Sequence, residues 1–209
     1  MTSNVYLYAL NTLSDWEPAY IISELNSGRG FKKNAGKYVV KTFAVTKDPV
    51  MTMGGITILP DFTVDDILAE NTSLLLLPGA DTWMEPIHKK VLNKAKEFLD
   101  KGIIVAGICG ATEAFAAAGI LNDHAHTSNG LDILKKYPVY SGEKLYKNQS
   151  AVADGNLITA AGAAPLEFAY EVLKKMDVFT PTVLDNWYGY YKTQDSKYIA
   201  ALMQELSQQ

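Results

Sequence analysis

One cysteine, Cys109, sits where the sequence changes character. The stretch before it, Ile103-Ile104-Val105-Ala106-Gly107-Ile108, is apolar and β-rich. The stretch after it, Gly110-Ala111-Thr112-Glu113-Ala114-Phe115, is rich in helix formers. Small residues, Gly107 and Ala111, stand two positions before and two after the thiol. A strand that bends sharply into a helix needs that spacing, because a strained elbow leaves no room for larger side chains. The free N–H groups of the helix would then point at the sulfur, favour thiolate over thiol and lower the cysteine pKa. The Gly110 N–H would face an oxyanion forming on an attacked carbonyl. The alternative is a cysteine buried for packing alone.

Two other loops carry groups suited to the same site. Leu74-Leu75-Leu76-Leu77-Pro78-Gly79 reads as a buried strand ending in a turn. Loops at the carboxyl ends of neighbouring strands share one crevice in a doubly wound sheet. Gly79 is therefore expected to offer a second N–H toward Cys109, the ordinary alternative being a plain Pro-Gly turn. Ser14-Asp15-Trp16-Glu17-Pro18 follows the first apolar run. Ser14 and Glu17 have capping-box spacing, and Pro18 suits a first helical turn. In the functional reading Glu17 reaches the sulfur, keeps a proton and donates a hydrogen bond, since two adjacent negative charges repel.

Positioning these groups demands alternating elements, and the sequence supplies them. Apolar runs at 5–10, 38–45, 74–77, 103–108 and 157–160 are separated by helical patterns at 18–26, 64–69, 88–101, 112–118 and 165–176. Fully apolar strands between helices predict a mostly parallel sheet covered on both faces. That is an α/β fold of flavodoxin-like type, a three-layer α/β/α sandwich. Met53-Gly54-Gly55-Ile56 and Asp154-Gly155-Asn156 add two small β-hairpins. Residues 196–206 read as a terminal amphipathic helix. The aromatic stretch Trp187-Tyr188-Gly189-Tyr190-Tyr191 fits a crevice wall, a subunit contact or the chain's own core. No repeat or linker interrupts residues 1–209, so one domain is expected.

Composition removes several function classes. The 209 residues are 48% hydrophobic and 20% charged, with a net charge of −4 and no basic cluster, so no nucleic-acid partner is expected. No apolar run is long enough to span a bilayer, and the N-terminus carries no secretory pattern. A single cysteine makes no internal disulfide, which points to the cytoplasm.

The chain resembles the ThiJ/PfpI family of the class I glutamine amidotransferase-like superfamily. The resemblance rests on Ser14-Asp15-Trp16-Glu17, Leu77-Pro78-Gly79, Ala106-Gly107-Ile108-Cys109-Gly110-Ala111, Gly119-Ile120-Leu121 with Thr127-Ser128-Asn129, Asp154-Gly155-Asn156-Leu157-Ile158-Thr159-Ala160 and Glu167-Phe168-Ala169. It implies Cys109 as nucleophile, Glu17 as its carboxyl partner, Gly79 and Gly110 as an oxyanion pair, and a homodimer. Such proteins include intracellular proteases or amidases, glyoxalases, deglycase-like proteins, chaperones and oxidative-stress sensors. Many members place a histidine directly after the cysteine, where Gly110 stands here. Others place it about twenty residues on, where Asn129 stands. Glutaminase domains carry a late His-x-Glu, whereas Ala163-Ala164-Pro165-Leu166-Glu167 has no histidine, so a glutaminase half-reaction is not expected.

The leading expectation is a cysteine-dependent hydrolase acting on a small amide, peptide or carbonyl compound. In it Asn129 orients substrate or water, and His126 is a substitute base swung in from beside Asn129. A non-catalytic oxidative-stress sensor or chaperone-like protein using the same thiol is the alternative. A flavodoxin-like cofactor-binding domain ranks last, because Asn11-Thr12-Leu13-Ser14-Asp15 lacks a glycine-rich phosphate cradle. His124 and His126 with one cysteine fall short of a metal site, so no metal and no cofactor are expected. His88, at the start of a charged helix, is expected in solvent.

Overall fold

The apolar runs pair as strands, since a sheet interior satisfies their backbone groups while burying side chains on both faces. The computed structural model describes residues 2–207. Its strands are β1 (Thr2–Tyr8), β2 (Lys37–Ala44), β3 (Val50–Met51), β4 (Thr57–Ile58), β5 (Phe62–Thr63), β6 (Thr72–Leu77), β7 (Ile104–Ile108), β8 (Ala151–Asp154) and β9 (Leu157–Ala160). Seven of them form one sheet in the order β5-β2-β1-β6-β7-β9-β8. Its pairs are parallel except β8 with β9.

The helices are α1 (Ala19–Ser27), α2 (Lys89–Asp100), α3 (Gly110–Ala117), α4 (Leu131–Leu134), α5 (Pro165–Lys175), α6 (Pro181–Thr193) and α7 (Ser196–Ser207). Along β6 the side chains alternate between two cores, as strand geometry requires. Leu75 and Leu77 meet Phe98 of α2 and Phe115 of α3. Leu74 and Leu76 join the opposite layer with Ile21 of α1, Phe168 of α5 and Trp187 of α6. The expected three-layer α/β sandwich is the fold observed.

Both hairpins form. Gly155, at φ 58°, and Asn156 make a two-residue turn between Asp154 and Leu157 on the sheet edge. The other is looser: β3 and β4 are two residues each, and residues 52–56 connect them with Gly55 at φ 83°. The helix expected over 64–69 is absent. Asp66 instead accepts the Thr63 N–H and hydroxyl at 2.8 and 2.7 Å, closing a turn. Val64 and Ile67 are buried three residues apart, which imitates a helical face.

Helix α6 was not foreseen as an element. Thr180 starts it by accepting the Val183 N–H at 3.3 Å, and the aromatic stretch lies inside it. Trp187 is buried against Tyr20 and Tyr191, with its Nε1 donating to Glu24 at 3.2 Å. Trp187 therefore packs on the chain's own core, while Tyr188 lines a groove and Tyr191 is exposed.

Candidate active site

Strand β7 ends at Ile108 and α3 begins at Gly110, so Cys109 alone makes the bend. Its backbone sits at φ 56° and ψ −124°, a conformation that costs an L-residue about 1–3 kcal/mol. The surroundings hold it there. The Cys109 N–H donates to Ala160 O at 3.0 Å, and Cys109 O accepts from the Thr112 N–H at 2.9 Å and the Thr112 hydroxyl at 2.6 Å. Small residues are obligatory nearby, because a Cβ on Gly107 would lie 2.4 Å from the Phe115 ring and one on Gly110 2.9 Å from Ala80 O.

Glu17 reaches this elbow from the loop after β1 and is fully buried. Its Oε2 accepts the Gly79 N–H at 2.5 Å. Its Oε1 is buried with no hydrogen-bond partner of ordinary geometry, and the neighbouring group is the Cys109 thiol. Burial raises the Glu17 pKa, while Gly79, Cys109 and Ser14 pull it partway back. Burial also raises the Cys109 pKa. The Asn129 amide and the Gly110 N–H oppose that rise, and the Glu17 carboxylate adds to it. The expected lowering of the thiol pKa is therefore corrected: desolvation and a facing carboxylate outweigh the helix N–H groups. The pair shares one negative charge more readily than it carries two.

Asn129 lies where its amide can serve the sulfur. Its Nδ2 donates to Cys109 Sγ at 3.4 Å, and its Oδ1 accepts the Gly162 N–H at 2.9 Å. The segment before it is pinned by the Thr127 N–H to Thr159 Oγ1 at 2.9 Å and by Ser128 against Thr112 at 2.6 Å. Gly162, after β9, was not singled out by sequence. A Cβ there would come 2.6 Å from the sulfur, and the only hint was a run of small residues, 160–164, closing a strand.

Three expectations need correction. The Gly79 N–H is committed to Glu17, so it does not serve an oxyanion. The next N–H, that of Ala80, has no acceptor among the described residues, and Ala80 lines the cleft together with Gly110. His126 is not brought to the thiol. It is fully buried, with Nδ1 against His124 O at 2.7 Å and Nε2 against Tyr140 Oη at 2.8 Å. With both ring nitrogens engaged and burial lowering its pKa, it is a structural group. His88 is buried rather than solvated, with Nδ1 2.6 Å from Tyr8 Oη.

The thiol opens into a cleft of about 400 Å³, walled by Trp16 and Met53 and rimmed by Asp81, Glu113 and Ala163. A larger groove of about 590 Å³ lies between α5, α6 and α7, lined by Tyr170, Tyr188 and Glu167. Cys109, Glu17 and Asn129 are not among its lining residues; they line the smaller cleft. Among the described residues no three His, Cys, Asp or Glu side chains are grouped to hold a metal ion. No described helix is long and apolar enough to cross a membrane.

A doubly wound sandwich with a lone cysteine in a strand–helix elbow beside a buried carboxyl defines the class of this molecule. The chain belongs to the DJ-1/PfpI family, whose pattern it matches over residues 3–175. It is 47% identical over 207 residues to the Bacillus subtilis "Uncharacterized protease YoaZ", covering 99% of each chain. It is 33% identical over 188 residues to "Uncharacterized protease YdeA" of the same organism, covering 87% of this chain and 90% of that one. The crystal structure of the thiJ/pfpI family protein from Bacillus anthracis superimposes with a TM-score of 0.95 at 48% identity, over 98% of this chain and 97% of the other. That of the DJ-1 superfamily protein Atu0886 from Agrobacterium tumefaciens gives 0.81 at 32% identity, over 92% and 98%.

Proposed function

We propose that the protein is a cysteine-dependent hydrolase, protease- or amidase-like, with Cys109 as nucleophile. One observation carries the reading. A thiol held at φ 56° faces an open cleft while the Glu17 carboxyl, the Asn129 amide and the Gly110 N–H converge on it. The sulfur attacks the substrate carbonyl, its proton passes to Glu17, and the C–S bond forms as the carbonyl oxygen becomes an oxyanion. The N–H groups of Gly110 and Ala80 receive that oxyanion. Glu17 returns the proton to the departing amine as the C–N bond breaks, then takes one from water as its oxygen bonds the thioester carbon and gives it to the Cys109 sulfur as the C–S bond breaks. A buried carboxyl with a raised pKa suits both halves of this cycle. Cys109→Ser should abolish amide and peptide hydrolysis in a substrate panel, and unchanged hydrolysis in that variant sinks the reading.

An oxidation-sensing role is the second reading, supported by the missing histidine and by the hydrogen-bond donors around the sulfur. The thiolate would attack peroxide, forming S–O as O–O breaks and hydroxide leaves. A second round gives sulfinate. A two-oxygen adduct on Cys109 after mild peroxide is the expected mass change, and a resistant thiol removes this role. The reading includes a reducing cytoplasm, suited to a single free thiol. It also includes a homodimer, supported by the exposed Met51, Ile56 and Leu59 around the β3–β4 hairpin and checked by sedimentation.

A further inference from the structure

The charges around the thiol cleft are all of one sign. Its lining holds Glu17, Asp81 and Glu113 and no lysine, arginine or histidine. Asp81 is exposed at the rim, and Glu113 is partly buried with Oε2 accepting from Tyr137 Oη at 3.0 Å. Glu17 contributes a fully buried carboxyl whose Oε1 has no hydrogen-bond partner of ordinary geometry. The same lining carries two large apolar side chains, Trp16 and Met53, 51% and 45% exposed although they wall a cleft. Exposed apolar surface at the mouth of a site is available for a ligand to cover. Low-dielectric walls focus the field of like charges inside such a cleft.

We propose that the cleft selects substrates that pair a cationic group, an amine or guanidinium, with an apolar group next to the reacting carbonyl, and rejects carboxylate-bearing ones. The cation meets Asp81 and Glu113, the apolar group lies on Trp16 and Met53, and the carbonyl carbon is then offered to Cys109. Anionic substrates meet three carboxyls and no counter-charge. This selectivity deepens the hydrolase reading and rests on it for the words "substrate" and "carbonyl". The charge preference itself is a property of the cleft.

Two measurements separate the two claims. Methanethiosulfonates bearing a trimethylammonium, a neutral methyl or a sulfonate group react with Cys109 by forming a mixed disulfide and expelling methanesulfinate. The cationic-to-anionic rate ratio, divided by the same ratio for 2-mercaptoethanol, should exceed about tenfold at low salt. It should shrink as salt rises and fall several-fold in the Asp81→Asn/Glu113→Gln double variant. A normalised ratio near one, or an anionic preference, overturns the proposal. In the second arm, peptide 4-nitroanilides with one apolar residue followed by Lys, Gln or Glu should rank Lys over Gln over Glu in kcat/KM. Trp16→Ala should raise KM more than it lowers kcat, and a flat or reversed ranking overturns the substrate assignment. If the wild-type protein cleaves none of them, the hydrolase reading fails while the thiosulfonate ratio still decides the charge preference.

Discussion

Gly79 stands between Glu17 and Cys109: its N–H donates to Glu17 Oε2 at 2.5 Å, and a Cβ built on it would lie 2.7 Å from both that oxygen and Cys109 Cβ. The glycine is what lets carboxyl and thiol meet. Gly79→Ala must push one of them away, and neither can retreat easily, since Glu17 is buried and Cys109 is fixed by the bend. Overpacking of this kind costs about 1–3 kcal/mol, so a lower melting temperature is expected. Hydrolysis should fall by about a hundredfold, the loss expected when reacting groups shift by an ångström. Wild-type activity in a folded Gly79→Ala protein would show that the close approach is dispensable.

Glu17→Gln tests the charge shared by the pair. The Glu17 carboxylate helps raise the thiol pKa, so its removal should shift the midpoint of Cys109 alkylation by iodoacetamide to lower pH. Burial still keeps the midpoint from falling far. The variant should nonetheless hydrolyse amides poorly, because no group takes the thiol proton. An alkylation midpoint that moves upward would mean that Glu17 acts on the thiolate mainly as a protonated donor.

The same carboxyl makes a stability prediction. Its folded pKa is raised above the ordinary 4.5, so the native state binds the proton more tightly than the unfolded chain. The associated stability is present below about pH 4.5 and is lost as pH climbs through the raised folded value. In urea titrations, the stability of Glu17→Gln relative to wild type should rise from pH 4 toward neutrality. A difference that stays constant across that range would show that burial does not perturb this group.

Much of this architecture was legible because residue pattern and burial coincide. Leu74 to Leu77 are all apolar because helices cover both faces of β6, and Gly107, Cys109 and Ala111 announce a bend that excludes bulk. Glu17 was legible for a related reason, a carboxylate placed just past a central strand. The pKa direction of Cys109 was not, because it depends on how deeply the sulfur is buried, and no local pattern encodes that depth. That the Gly79 N–H is taken by Glu17 was not legible either, since it depends on how a loop 62 residues earlier folds back. His88 looked like a solvated residue at a helix start and His126 like a surface-loop residue. Their burial is decided by Tyr8 and Tyr140, which lie 80 and 14 positions away in sequence.

Asn129 stands beside the sulfur, with its Nδ2 3.4 Å from Cys109 Sγ. Its amide favours the thiolate, so Asn129→Ala should raise the alkylation midpoint and slow hydrolysis by about tenfold, as expected for one lost hydrogen bond to a charged group. It should also loosen the 162 loop, whose N–H loses its acceptor. A midpoint unchanged from wild type would restrict Asn129 to holding that loop.

His126 provides the contrasting case. Its folded pKa is lowered by burial, so the unfolded chain binds the proton more tightly and stability is lost as pH falls below about 6.5. Replacing it with glutamine leaves buried partners only partly satisfied, which costs about 1–3 kcal/mol. Part of the acid-side loss should also disappear from the stability profile. Because both ring nitrogens are engaged away from the thiol, kcat/KM per folded molecule and its pH profile should match wild type. A shifted pH profile at full folding would return His126 to the chemistry and require its ring to leave Tyr140 during the reaction.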